Sequence, residues 1–276
     1  MHEKLGKIVR YERNGKMVAR VANNRRLKTA EQMKPSKDLM ASRLLNNWTI
    51  KMWNIIRPFS VGMWDNKTGG QTDFNLFTSV NRLAHCGVFL TKDEVGTVEV
   101  AAPVQISRGS LKTIQIDKDE DGRFVTNIHI RDLQLTADTN VHDLTISLLG
   151  FSDFEEGDNL TLVVVYQHPE EKQPSCTARA YTIELKRFDD RKVGAIIPEK
   201  FFSQKGDCLA TTNQLPDCCF TFIHTRGLSA EKQLVSTQVL TNNNQALIEH
   251  YLTDEQFQKA AESYGGLKEK PSVESW

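Results

Sequence analysis

No stretch of this 276-residue chain approaches the roughly 18 consecutive apolar residues of a membrane-spanning helix, and its mean hydropathy is −0.44. The N-terminus, Met1–Arg10, is charged, and no apolar core of a secretory leader follows it. That reads as a cytoplasmic chain, with a virion-associated one as the alternative. Cys-x-x-Cys is absent, and no Cys/His group has zinc-ligand spacing. The five cysteines are Cys86, Cys176, Cys208, Cys218 and Cys219. An odd number leaves one unpaired within a monomer, and the neighbours Cys218 and Cys219 are poorly placed to bridge. Buried free thiols are the expectation. His-Glu-x-x-His, Gly-x-Ser-x-Gly and the phosphate-binding glycine loop are all missing. None of the seven histidines has a sequence neighbour with catalytic spacing. The chain is therefore expected to be non-catalytic and free of cofactors. Three Asn-x-Thr sequons, at Asn47, Asn66 and Asn159, carry little weight without a leader.

Net charge is also lacking, but only on average. Lys and Arg number 35, as do Asp and Glu. Residues 1–57 hold 14 basic and 4 acidic side chains, while the remaining 219 hold 21 and 31. A basic end is thus joined to an acidic body. Such asymmetry marks interaction arms. It suits a polyanion, held through its phosphates, or the acidic body of the same or a neighbouring subunit.

Two short β-prone runs, Lys7–Tyr11 and Lys16–Val21, flank Arg13-Asn14-Gly15, and Asn-Gly between such runs signals a hairpin. A lone ribbon of this size is marginal in water, so it is expected to dock on something else. The arm, residues 1–28, supplies the candidate binding residues Lys7, Arg10, Arg13, Lys16, Arg20, Arg25, Arg26 and Lys28, with Tyr11 as a stacking group.

Residues 29–94 read as a helical hairpin. Thr29-x-x-Gln32 resembles a capping box, and Pro35 kinks or restarts the helix. Met40, Leu44, Leu45, Trp48, Met52, Ile55, Ile56 and Phe59 then recur at helical spacing until Pro58 ends it. Trp48 and Trp53, with Trp64 in the next loop, are core or interface candidates. Gln71–Ala84 is the second helix.

From residue 95 to 241 the texture is β. Expected strands are Thr97–Ile106, Leu111–Ile116, Phe124–Ile130, Asp143–Leu149, Asn159–Tyr166, Cys176–Leu185, Phe220–His224 and Leu234–Leu240. Their spacing suggests an antiparallel, Ig-like β-sandwich, giving an α+β chain overall. Leu160–Tyr166 is nearly continuous in apolar residues and should be a central strand covered on both sides. Residues 186–217 are expected as a long loop. Residues 242–276 hold a short helix opened by Thr253-x-x-Gln256, then a tail.

One motif suggests a metal. Asp117, Asp119 and Asp121, followed by Gly122, occupy positions 1, 3, 5 and 6 of a calcium loop. Position 12 is Ile128 rather than Glu, and strands flank the segment. A hairpin turn closed by Asp-Gly is the competing reading.

The order of these features resembles an uncharacterised family of Bacteroidota proteins, a domain of unknown function. The match runs over residues 5–240. It rests on Leu5–Val9 with Asn14-Gly15-Lys16, Lys28-Thr29-Ala30-Glu31-Gln32-Met33, Arg57-Pro58-Phe59, Asp73–Phe77, Ile106-Ser107-Arg108-Gly109-Ser110-Leu111, Asp158–Tyr166 and Ser229–Thr237. The resemblance implies the arm, helical hairpin and sandwich, and it carries no catalytic residues. Three functions follow as expectations. The first is an interaction or assembly protein, phage-derived or virion-associated, whose arm and helical hairpin contact a protein partner or another copy. The second is a nucleic-acid-binding module. The third is a carbohydrate-binding or hydrolytic sandwich, against which stands the location of all four tryptophans outside the β region.

Overall fold

In a computed structural model, residues 8–13, 16–21, 37–60, 62–83, 90–94, 104–169, 174–212, 218–229, 232–241, 249 and 253–264 are described. The chain combines helices with antiparallel sheets, 32% helix and 34% strand among the described residues. It divides into two compact units, residues 1–39 and 40–276.

In the first unit, β1 (Ile8–Arg13) and β2 (Lys16–Val21) form a two-stranded antiparallel sheet. Its register pairs Val9 with Arg20, Tyr11 with Val18 and Arg13 with Lys16. Met17 is 70% exposed.

The second unit is built around one sheet, ordered β11-β10-β6-β7: Lys232–Val235, Cys219–Ser229, Asn159–Pro169 and Pro174–Glu184. Every residue of Leu160–Val165 in β6 is buried. Alternation sends Leu160, Leu162 and Val164 into one apolar cluster and Val163 and Val165 into another. Strand β10 alternates in step, with Phe220 and Phe222 on the first side and Cys219 and Ile223 on the second. Cys218 and Cys219 therefore point to opposite layers, which separates the two thiols.

The first cluster is closed by a second sheet and a helix. That sheet is ordered β4-β5-β9-β8, namely Ile116–Lys118, Phe124–His129, Cys208–Ala210 and Ser203–Lys205. The helix is α3, Val141–Phe151. The other cluster is closed by α1 (Lys37–Ser60), α2 (Asp73–Leu83), the small β3–β12 pair (Gln105–Ser107 with Gln238–Val239) and α5 (Asp254–Ser263). From α1 come Leu44, Trp48, Met52 and Ile56, which keep the helical spacing read from the sequence. The Thr253 hydroxyl caps α5 by accepting the Gln256 N–H at 3.3 Å.

Three readings need correction. Asp143–Leu149 lies within helix α3 and is not a strand. Val141, Leu144, Thr145 and Leu148 are buried at helical steps, and this periodicity outweighs the local Thr-Ile content. Residues 186–217 are not simply a loop: they supply β8, β9 and the short helix α4, Val193–Ile196. These strands are three residues long, too short to show a period. The strand expected over Leu111–Ile116 begins only at Ile116, because the Asn127 side chain replaces part of the ladder. It accepts the Gln115 N–H at 3.0 Å and donates to the Thr113 carbonyl at 3.2 Å.

The Ser107–Leu111 segment joins the layers. Asp65 Oδ2 accepts from the Ser110 N–H at 2.9 Å, the Ser110 hydroxyl at 2.8 Å and the Val235 N–H at 3.0 Å. Ser107 donates to the Ser236 carbonyl at 2.7 Å. A Cβ on Gly109 would stand 2.3 Å from the Val235 carbonyl oxygen and 2.4 Å from that same Asp65 oxygen. Gly109→Ala should therefore cost about 2 kcal/mol or more through overpacking, and Leu162→Ala about 3 kcal/mol through a cavity. Urea unfolding at neutral pH reads both; a loss below about 0.5 kcal/mol for either variant would contradict the packing described.

Candidate functional site

Of the basic-arm candidates, Lys7, Arg25, Arg26 and Lys28 lie outside the described residues. Arg10, Tyr11 and Arg13 belong to β1, and Lys16 and Arg20 to β2. Lys16 is exposed.

The tryptophan candidates separate. Trp48 and Trp64 are fully buried and present no surface to a partner. Their indoles fill the core because a large apolar ring gains more there than at a rim. Trp53 is half-buried, its ring 5.8 Å from Phe74 and 5.5 Å from Phe77, where it ties α1 to α2. None of these three offers a sugar the open aromatic platform that the carbohydrate reading needs.

The acidic turn is filled by the protein's own cations. Asp119 accepts from the Asp121 and Arg123 N–H groups at 2.9 and 2.8 Å and is ion-paired with Lys205 and Arg123. Arg123 also reaches Asp121 at 2.5 Å. The Lys205 hydrogen bond, above all, holds the Asp119 carboxyl at about 2. Among the described residues no group of three or more His, Cys, Asp or Glu is arranged to hold a metal ion. A calcium ion here would have to displace both cations.

A site that spans distant parts of the sequence lies at the start of β6. Asp158 immediately precedes that strand. The β6–β10 register places Leu160 opposite His224 and Asn159 opposite Thr225, so Asp158 comes beside His224 and Arg226. His224 Nε2 lies 2.7 Å from Asp158 Oδ2. Arg226 grips the same carboxylate with Nε at 2.9 Å and a terminal nitrogen at 2.8 Å. The Glu155 N–H donates to it at 2.7 Å. Asp158 and His224 side chains are only 2% and 3% exposed. Burial pushes the Asp158 carboxyl up, but the His224 and Arg226 hydrogen bonds outweigh it and hold the group at about 2. The Phe154 ring packs against the imidazole with centroids 4.1 Å apart and the planes tilted by 37°.

His224 forms part of the wall of a cleft of about 390 Å³. Around it stand Lys112, His129, Arg131, Ser152, Asp153 and Phe154, supplied by the segment before β4, the end of β5 and the end of α3. Lys112 pairs with Asp153 at 2.8 Å and holds that carboxyl below its ordinary range. Ser152 accepts the His129 N–H and donates to the His129 carbonyl, both at 2.9 Å, so its hydroxyl is engaged by backbone. Cys208 Sγ lies 3.6 Å from His129 Nδ1, and burial pushes the thiol up, away from the reactive thiolate. What the arrangement offers is a rigid imidazole, oriented by a carboxylate, beneath a polar opening.

Sequence reading missed this site because Asp158 and His224 are 66 residues apart. One signal was present: Phe220, Phe222 and His224 alternate onto one buried face, and a histidine in such a row needs a partner.

Asp158→Asn removes the buried carboxylate shared by Arg226 and His224, leaving Arg226 only the exposed Glu155 carboxylate at 2.7 Å, and should cost about 3 kcal/mol at neutral pH. The folded carboxyl titrates below its unfolded value, so its stabilisation is present above about pH 4 and fades as pH falls toward about 2. Urea unfolding of both proteins across that window tests this, because their stabilities should converge as the pH falls. A constant gap would show that Asp158 does not titrate as described. No protein-family model, curated protein or solved structure matches this chain.

Proposed function

We propose that this chain is a non-catalytic interaction and assembly protein that engages a partner through its N-terminal β-ribbon. One observation carries the reading: β1 and β2 form a two-stranded sheet of their own, and they belong to the compact unit of residues 1–39. A two-stranded ribbon is marginal in water and gains from a surface to dock on. The favoured surface is the acidic body of another copy, since residues 58–276 carry ten more acidic than basic side chains and residues 1–57 the reverse. The body is read as an immunoglobulin-like sandwich whose two four-stranded sheets share one apolar cluster. A phage-derived or virion-associated setting is part of this proposal, and the Bacteroidota resemblance leaves the function open.

Deleting residues 1–28 should abolish self-association, and adding about 0.5 M salt to the full chain should weaken it. Sedimentation velocity measures both. If full-length and truncated chains are equally monomeric, and capture the same proteins, the proposal fails.

The ribbon register favours a second reading, nucleic-acid binding. By the period of two, the register assigns positions 11, 13, 16 and 20 to one face of the ribbon, and the sequence puts Tyr11, Arg13, Lys16 and Arg20 there. Three phosphate contacts would give a salt slope of about −2 to −3 in a shift assay. Binding that persists without that slope, or no binding at low salt, rejects it.

A further inference from the structure

We propose that the cleft over His224 binds a small organic anion with a planar apolar group, an aromatic carboxylate being the simplest such ligand. This goes beyond the ribbon's role and does not depend on it.

The volume, about 390 Å³, lies in the range of small-molecule sites. The wall has apolar and polar parts. Ile114, Ile128, Phe151 and Phe154 supply apolar surface, and Phe154 is fixed by its packing against the imidazole. Lys112 and Arg131 supply two cations, and His129 and His224 two imidazoles. Against them stand Asp153 and the C-terminal end of α3, which carries roughly half a negative charge. Lys112 cancels Asp153 at 2.8 Å. Arg131 then leaves the lining itself with one cation more than it has carboxylates.

Arg131 is itself shared with Asp207, at 3.3 Å. Both this pair and Lys112–Asp153 are more than half exposed on each side. Surface pairs of that kind hold by about 0–1 kcal/mol, so an entering carboxylate can recruit either cation at little cost. The floor behaves differently. His224 is held by Asp158, and Asp158 by Arg226, with all of these bonds at 2.7–2.9 Å. That buried set keeps the imidazole in one orientation while the rim adapts. The cleft therefore combines a preorganised polar floor, an aromatic wall and labile counter-charges, which is what a planar anion requires.

The test uses the full-length protein and three ring compounds of like size: benzoate, benzamide and benzylamine. Binding is followed by NMR at the His224 and His129 ring protons. Benzoate should shift both saturably with a Kd of about 1 mM, and benzamide should bind at least about tenfold more weakly. Lys112→Gln and Arg131→Gln, at exposed positions where folding is not at risk, should each weaken benzoate about threefold to tenfold. Equal binding of benzoate and benzamide overturns the proposal, as does tighter binding of benzylamine. So does an absence of saturation at about 20 mM, a shift confined to other residues, or unchanged affinity in both variants.

Discussion

The Leu160–Val165 stretch of β6 has no solvent face, and the rest of the body follows from that. Six consecutive residues, Leu160–Val165, are buried, five of them aliphatic and worth about 1.5–3 kcal/mol each. Two layers are needed to cover them, one from the second sheet with α3 and one from the helices. Double burial also removes the usual safeguard of register. In a one-sided strand a slip by one residue exposes the apolar set. Here a slip would only exchange Leu162 for Val163. The buried ionic group at the strand's start supplies what the apolar pattern lacks. Asp158 meets His224 and Arg226 together only when Leu160 stands opposite His224. Such a network is costly to desolvate, and fixing register is the best-attested use of one.

Legibility in the sequence follows the length of the signal. Helix α1 was readable because eight apolar residues repeat over five turns, and β6 because its apolar run is broken only by Thr161. The short strands β8 and β9 carried no period, and α3 was disguised by β-prone residues whose buried set nonetheless steps helically. The tryptophans illustrate a different limit. Composition alone leaves an indole equally suited to a core or an interface, and only the packing of Trp48 and Trp64 decides. The acidic turn was legible as chemistry but not as context, since Lys205 lies 86 residues from Asp119. For the same reason the His224 cleft was invisible: each of its parts is ordinary, and only the sheet brings them together.

Neutrality acquires a structural meaning once the charges are placed. Several carboxylates of the body are already matched locally, Asp119 by Lys205 and Arg123, Asp158 by Arg226, Asp153 by Lys112. Local pairs do not remove the surplus of ten acids in residues 58–276, nor the surplus of ten bases before them. A chain with a basic end, an acidic body and no net charge has little long-range repulsion from its copies and a directional attraction to them. On the proposed reading, basic end meets acidic body of the next copy, which is a heterologous contact. A contact of that class closes into a ring if its rotation permits and otherwise runs on as a filament. Charge complementarity selects partners and speeds encounter more than it adds affinity. The lasting part of such an assembly would come from main-chain and apolar contacts made by β1 and β2, for which the basic side chains act as the guide.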